Sequence, residues 1–386
     1  MADNTEIRRL ALVLTANACM FVFGVVLLLM GSLLPSLEVN YVQAGGLGSL
    51  PLVGILAATI LVGPVLDTVG AKPVLAAALV MVAGAVGLLP SLHTYAALAI
   101  AALIYGFGGG VLNTATNALV ADLSAAGRGA ALNLLGFSFS LGALAAPLLM
   151  STLGGSLGTA SVLRILAAGT ALILVPVLIF RFPAATYAGT RLRELLRVLN
   201  HPLVWLFGAL LFFESGSENS MFVWAGKIVG GMFNATPQHA NWALVGLSAA
   251  IGAGRLGATF LLRVLGDRRT MLISTAITVT GTMIAFTSRA FPTAVLGMVL
   301  IGLGLASIYP TALGVAGDRF PRQTGTVFGA IMAVSLVGGT AGPNLCGALA
   351  ATGLRNILWV PMIAAVAVAT LTIAVTRDGQ KMVSTD

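Results

Sequence analysis

A chain of 386 residues that is 58% hydrophobic and only 8% charged, with a mean hydropathy of +1.02, falls outside the soluble globular class, which carries about a quarter charged residues. The formal net charge of +8 would suit a nucleic-acid binder, but the basic residues are spread through short segments between apolar runs, so no nucleic acid is expected as a partner. Two lone cysteines, Cys19 and Cys346, lie far apart in apolar sequence and read as packed thiols.

A helix needs about 20 apolar residues to cross the hydrocarbon core of a bilayer. Twelve such runs follow one another. The first six are Leu10–Leu34, Ala44–Leu66, Pro73–Leu89, Tyr95–Val120, Gly129–Leu153 and Ser161–Phe180. The second six are Leu203–Val223, Trp242–Leu265, Thr270–Thr287, Ala294–Ala316, Thr326–Ala350 and Leu358–Val375. Spans 3, 9 and 12 read as plain and apolar, and so as lipid-facing; spans 1, 4, 5, 7, 8, 10 and 11 carry polar residues and read as cavity-lining. The 47 glycines suit close helix–helix contact in lipid. With both termini inside, fifteen of the twenty Lys and Arg fall in cytoplasmic segments and four in outer ones, with Arg255 inside a span. That bias orients both ends of the chain to the cytoplasm. The first run is too long for a cleaved signal sequence and lacks a small-residue cleavage site. The basic segment Arg181–Pro202 holds the run RLRELLRVL, which suggests a short amphipathic helix on the inner surface.

The two sets of six are copies. Laying Gly106 on Gly302, an offset of 196 residues, also brings Gly108 onto Gly304, Asp122 onto Asp318, Gly129 onto Gly325, Gly142 onto Gly338, Pro147 onto Pro343 and Gly70 onto Gly266, with Lys72 on Arg268. Parallel repeats of this size are the mark of a two-bundle transporter with its binding site between the bundles. The expected organisation is an N-terminal six-helix bundle over residues 1–182, a cytoplasmic linker over 183–202 and a C-terminal six-helix bundle over 203–386.

The segment after the second run, Gly63-Pro-Val-Leu-Asp67-Thr-Val-Gly70-Ala-Lys72, resembles the G-x-x-x-D-x-x-G-x-[RK] loop of the major facilitator superfamily. Gly63 permits close packing, Gly70 makes the turn, and Asp67 can face a helix N-terminus or a nearby arginine such as Arg128. The resemblance implies an all-α fold of twelve transmembrane helices and a charge latch closing the cytoplasmic side. The second copy has Thr259 for Gly63 and Arg263 for Asp67, so one full latch is expected.

Further matches resemble the fucose:proton symporter branch of that superfamily. They are the run from Gly106 through Asn113 to Asn117, Arg128 through Asn133, Gly142 with Pro147, Glu218 six residues before Trp224, and Tyr309-Pro310-Thr311 followed by Gly317-Asp318-Arg319-Phe320-Pro321 and Thr324-Gly325. The branch implies import of hexoses and related sugars with a coupling ion. Two acids of that pattern are replaced here: Asn113 stands where a glutamate is usual, and the sequence near Met30 and Gly31 is apolar where an aspartate is usual. Proton coupling at those two positions does not carry over.

Glu214 and Glu218 are the acids deep in a span, one turn apart on one face of the seventh. Glu214 lies roughly 16 Å in from Leu203 at 1.5 Å per residue. A carboxylate at that depth must be protonated, paired or in water, so both glutamates are candidates for binding the solute or for coupling a proton or sodium ion, with Glu218 preferred by its position before Trp224. Arg255 in the eighth span is the expected structural ion-pair partner. Asn113, Asn117 and Asn133 offer the donors and acceptors that hydroxyl recognition needs; in lipid, Asn also serves as interhelical glue. Asn219, Asn344, Trp242, Trp224 and Tyr309 complete the candidate solute site, with Asn17, Gln43, Asn241 and Phe213 as further possible contacts. His93, His201 and His239 sit at span ends on both sides, so no metal site is expected, and no cofactor.

The leading expectation is therefore a monomeric sugar transporter of a bacterial inner membrane, with lipid as its surroundings. The competing expectation is a proton-driven efflux antiporter for amphipathic compounds. Its usual glycine before the fifth-span proline is Ala146 here. A membrane enzyme would need a nucleophile–base, paired-acid or metal constellation at depth, and no histidine lies mid-span.

Overall fold

The computed structural model describes residues 2–123, 128–183, 200–320 and 324–382. Lipid offers no partner for a bare peptide group, so an apolar chain satisfies its backbone within helices, and helices are what the described residues form. They are α1 (Ala2–Leu33), α2 (Tyr41–Val69), α3 (Ala71–Leu88), α4 (Tyr95–Leu123), α5 (Arg128–Thr152) and α6 (Thr159–Ile179). The series continues with α7 (Pro202–Phe233), α8 (residues 237–265), α9 (residues 267–287), α10a (Phe291–Leu305), α10b (Ile308–Arg319), α11 (Thr324–Ala350) and α12 (Trp359–Met382). Among the described residues, ten helical stretches are long and apolar enough to cross a membrane. Residues 202–233 and 237–258 are not among them, because Glu214, Glu218 and Arg255 with their polar neighbours lower the apolarity of α7 and α8.

The helix boundaries follow from local chemistry. At α2, Asn40 and Gln43 form a capping box: the Gln43 backbone N–H donates to Asn40 Oδ1 at 2.8 Å and the Asn40 N–H to Gln43 Oε1 at 3.2 Å. This occupies Gln43, one of the further solute contacts expected from the sequence. His201 and Thr236 cap α7 and α8, each followed by a proline in the first turn, where the missing N–H costs nothing. Gly70 between α2 and α3 has φ 81°, and its repeat mate Gly266 between α8 and α9 has φ 73°. Both turns need the left-handed region that glycine enters without strain.

The chain forms two compact units, one of Met1–Val39 with Gly46–Gly189 and one of Thr190–Asp386 with Asn40–Gly45. In the first, α1 packs on α4 and α5, and α3 on α4 and α6. In the second, α7 packs on α11 and α12, and α10a against the α8–α9 pair. The repeat is visible in these contacts. A Cβ on Gly106 of α4 would meet the Pro51 backbone of α2, and one on Gly302 of α10a would meet the Leu247 carbonyl of α8. Gly108 faces Ala78 and Val82 of α3 just as Gly304 faces Ser274 and Thr278 of α9. Each pair of partners is separated by the same 196 residues, so the glycine ruler in the sequence is a ruler of backbone contacts.

The tenth run is one span-length stretch, Phe291–Arg319, in which Ala306 and Ser307 form a two-residue turn between α10a and α10b with right-handed helical backbone. Pro310 has no N–H to return to the Ala306 carbonyl, and the Ser307 hydroxyl at the turn pairs with that of Ser274 in α9 at 2.6 Å. The ninth run, read as plain and lipid-facing, buries Ser274, Thr275, Thr278 and Thr282 in α9. Its polar stripe turns inward, where each hydroxyl finds an oxygen within reach. The RLRELLRVL run lies outside the described residues.

Candidate functional site

In the first unit, α4 presents Asn113 and Asn117, both half-buried. Asn117 Nδ2 donates to Asn113 Oδ1 at 2.9 Å and to the Asn113 carbonyl at 2.8 Å. One turn of spacing lets the two amides lock together. The bond leaves the Asn113 amide N–H groups and the Asn117 carbonyl oxygen, a donor and an acceptor side by side, for another partner. The Asn133 side chain lies outside the described ones. Asn17 does not join this pair: it is buried in α1, donates to its own Val13 carbonyl and accepts from Ser138 of α5 at 2.8 Å.

The loop motif is only partly accounted for by described side chains. Gly63 and Asp67 are half-buried near the end of α2, Gly70 makes the turn, and the Arg128 side chain is not described. Lys72 takes a role the sequence did not reveal. Its Nζ donates to the Leu178 carbonyl at 2.6 Å and the Phe180 carbonyl at 3.2 Å, closing the C-terminal end of α6, where a cation meets unpaired carbonyls. Arg8 does likewise with the Arg181 carbonyl, at 3.0 Å from Nε and 2.7 Å from Nη2.

In the second unit the two α7 acids part company. Glu218 is 12% exposed and its Oε1 stands 3.5 Å from Arg255 Nη2 of α8. Glu214 is 0% exposed, and neither carboxyl oxygen has a hydrogen-bond partner. It lines a small cavity of about 10 Å³ inside the unit, together with Ser217 of α7, Thr275 and Thr278 of α9, Leu305 and Ile308 at the α10a–α10b turn, and Ala364, Ala365 and Val368 of α12. Ser217, Thr275 and Thr278 were not singled out in the sequence, although Ser274, Thr278 and Thr282 at four-residue spacing in α9 were the available signal.

The remaining candidates scatter. Trp224 is fully buried, and its Nε1 donates to the Pro343 carbonyl of α11 at 3.0 Å, so its ring packs between α7 and α11. Asn219 is also buried. Its amide donates to the Ser215 carbonyl at 2.9 Å and hydroxyl at 3.2 Å, close against Gly339 of α11. Tyr309, the repeat mate of Asn113, is half-buried at the start of α10b, its hydroxyl 3.4 Å from Ser335 Oγ of α11. Asn344 is exposed and Trp242 is 41% exposed; Asn241 is buried. The rings of Phe213 and Phe212 meet edge to face at 5.4 Å.

Comparison with known proteins agrees with this architecture. The Major Facilitator Superfamily model matches residues 12–230 and again residues 206–384. An uncharacterised MFS-type transporter of Yersinia pestis is 24% identical over 293 residues, 71% of this chain and 72% of that protein. Among solved structures, a variant of the nucleoside transporter NupG superposes with a TM-score of 0.80 at 17% identity, over 96% of this chain and 99% of that one. The fucose:proton symporter FucP of E. coli superposes with a TM-score of 0.64 at 17% identity, over 94% of this chain and 98% of that one. At such identities the structures speak for the fold alone. The two family matches together span nearly the whole chain, which therefore belongs to the major facilitator superfamily of membrane transporters.

Proposed function

We propose that the protein moves a small hydroxyl-bearing solute, a hexose or related sugar, across a bacterial cytoplasmic membrane. It works as a monomer of twelve spans with both ends in the cytoplasm, by rocker-switch alternating access of two bundles. The observation that carries the solute class is the Asn113–Asn117 pair, which holds a neighbouring donor and acceptor open on a glycine-rich helix. Adjacent hydroxyls of a sugar ring need that combination, since each hydroxyl both donates and accepts. Asn133, Tyr309, Trp242 and Asn344 are the further side chains assigned to the solute. The transport step is coupled to an ion through the α7 acids, Glu218 and Glu214, and the latch of Gly63, Asp67, Gly70 and Arg128 holds the cytoplasmic side closed.

A nucleoside, the solute in NupG's name, is the second reading, because its ribose offers the same vicinal hydroxyls to the Asn113–Asn117 pair. Counterflow of a labelled panel of sugars, polyols and nucleosides into proteoliposomes separates the two. Exchange of a hydroxyl-bearing solute, weakened in Asn113→Ala, supports the proposal; exchange of amphipathic cations alone contradicts it.

A further inference from the structure

We propose that Glu214 is a proton-binding site enclosed within the second unit, and that its proton is the coupling ion of the transport reading above. The coupling half of this statement rests on that reading; the proton on Glu214 does not.

Glu214 is fully buried, and both its carboxyl oxygens are without a hydrogen-bond partner. An ionised carboxylate in that position would cost more than a fold can carry, and such groups neutralise instead. The charged and titratable groups around it can be named element by element. On α7 the neighbour is Glu218, another acid; from α8 comes Arg255; from α10b comes Tyr309. α9 and α12 contribute no titratable side chain to the cavity wall. The Arg255 guanidinium is paired with Glu218, its Nη2 3.5 Å from Glu218 Oε1.

The cavity supplies what a neutral acid needs. At about 10 Å³ it admits one water molecule. Ser217 Oγ in its wall is buried and has no hydrogen-bond partner. Thr275 and Thr278 donate their hydroxyls to the Met271 and Ser274 carbonyls, at 2.8 and 3.1 Å, and keep lone pairs for a water or an acid O–H. Five of the nine lining residues are apolar: Leu305, Ile308, Ala364, Ala365 and Val368. A hard metal cation gathers about six oxygens, so this wall suits a proton better than sodium.

Its place in the fold links the proton to movement. The wall includes Leu305 and Ile308, which flank the two-residue turn between α10a and α10b, so it draws on α7, α9, α10a, α10b and α12 at once. When Glu214 loses its proton, two carboxylates one turn apart compete for Arg255 of α8. Protonation returns Arg255 to Glu218. The proton is taken up from the water on one side of the membrane and released on the other, with no other bond made or broken.

The test reads the carboxyl group directly, by infrared difference spectroscopy of purified full-length protein at neutral pH with potassium as the only salt cation. Wild type and Glu218→Gln should show the C=O stretch of a protonated acid, shifted in deuterium oxide. Glu214→Gln should lose it, and Glu214→Asp, which keeps the acid, should shift it. If Glu214→Gln leaves the spectrum unchanged, or if sodium alone abolishes the band in wild type, the proposal is overturned. In proteoliposomes, Glu214→Gln should lose accumulation under a proton gradient of the solute identified by counterflow, and Glu214→Asp, which keeps the acid, should retain it. Retained accumulation in Glu214→Gln contradicts the coupling role. If no solute is transported by the wild type, the transport reading fails, while the infrared result still decides the proton on Glu214.

Discussion

Gly142 and Gly338, 196 residues apart, do the same job in separate units: a Cβ on Gly142 would collide with the Phe21 carbonyl of α1, and one on Gly338 with the Phe212 carbonyl of α7. Backbone cannot yield as a side chain can, so Gly142→Leu and Gly338→Leu should each destabilise by about 1–3 kcal/mol, the usual penalty of overpacking. Gly169→Leu, where nothing lies within 4 Å of an added Cβ, should melt close to wild type. Thermal unfolding in detergent checks the contrast, and equal melting of all three variants would remove the close-contact account of the repeat.

Asn113→Ala deletes the acceptor that holds Asn117 and a donor offered to the solute. Solute binding should weaken by about 0.5–1.5 kcal/mol, up to roughly tenfold in Kd, with folding retained. Asn113→Asp keeps the acceptor for Asn117 and removes the donor, so it should bind as poorly as the alanine variant. Calorimetric titration distinguishes these. Wild-type affinity in both would make the pair interhelical packing only.

Trp224→Phe keeps most of the buried ring and removes its bond to the Pro343 carbonyl. Stability should fall by about 1 kcal/mol while solute affinity is unchanged. Unchanged melting together with lost affinity would return Trp224 to the solute site.

Asp67→Asn preserves shape and removes the charge of the proposed latch. The state open to the cytoplasm should become more populated, because the lost interactions belong to the closed side. Spin labels at the C-terminal end of α2 and the N-terminal end of α11 report this as a shift towards longer distances; an identical distribution in variant and wild type would remove the latch.

The repeat was legible because it is written largely in residues whose backbone role is strict: Gly106, Gly108 and Gly142 and their mates mark contacts that leave no room for a Cβ. The turn at Gly70 and its copy at Gly266 were legible for the same reason. The α10a–α10b turn was half-written, in Pro310. The surroundings of Glu214 were not legible, because Ser217, Thr275, Thr278 and Ala364 come from three helices and meet only through packing. Nor does spacing distinguish Trp224 facing a solute from Trp224 bonded to Pro343, since both place an aromatic ring on the inner face of α7. Hydropathy alone hid the inward stripe of α9, whose hydroxyls sit one turn from their own acceptor carbonyls and so cost little apolarity.

The central claim is that this chain is a proton-coupled carrier of a hydroxyl-bearing solute. Its most direct test is accumulation in proteoliposomes under an imposed proton gradient, using the sugar or nucleoside found by counterflow. The account predicts an internal concentration above the external one, abolished by a protonophore and insensitive to replacing sodium with potassium. Equilibration without accumulation, or accumulation that follows the sodium gradient, would contradict it.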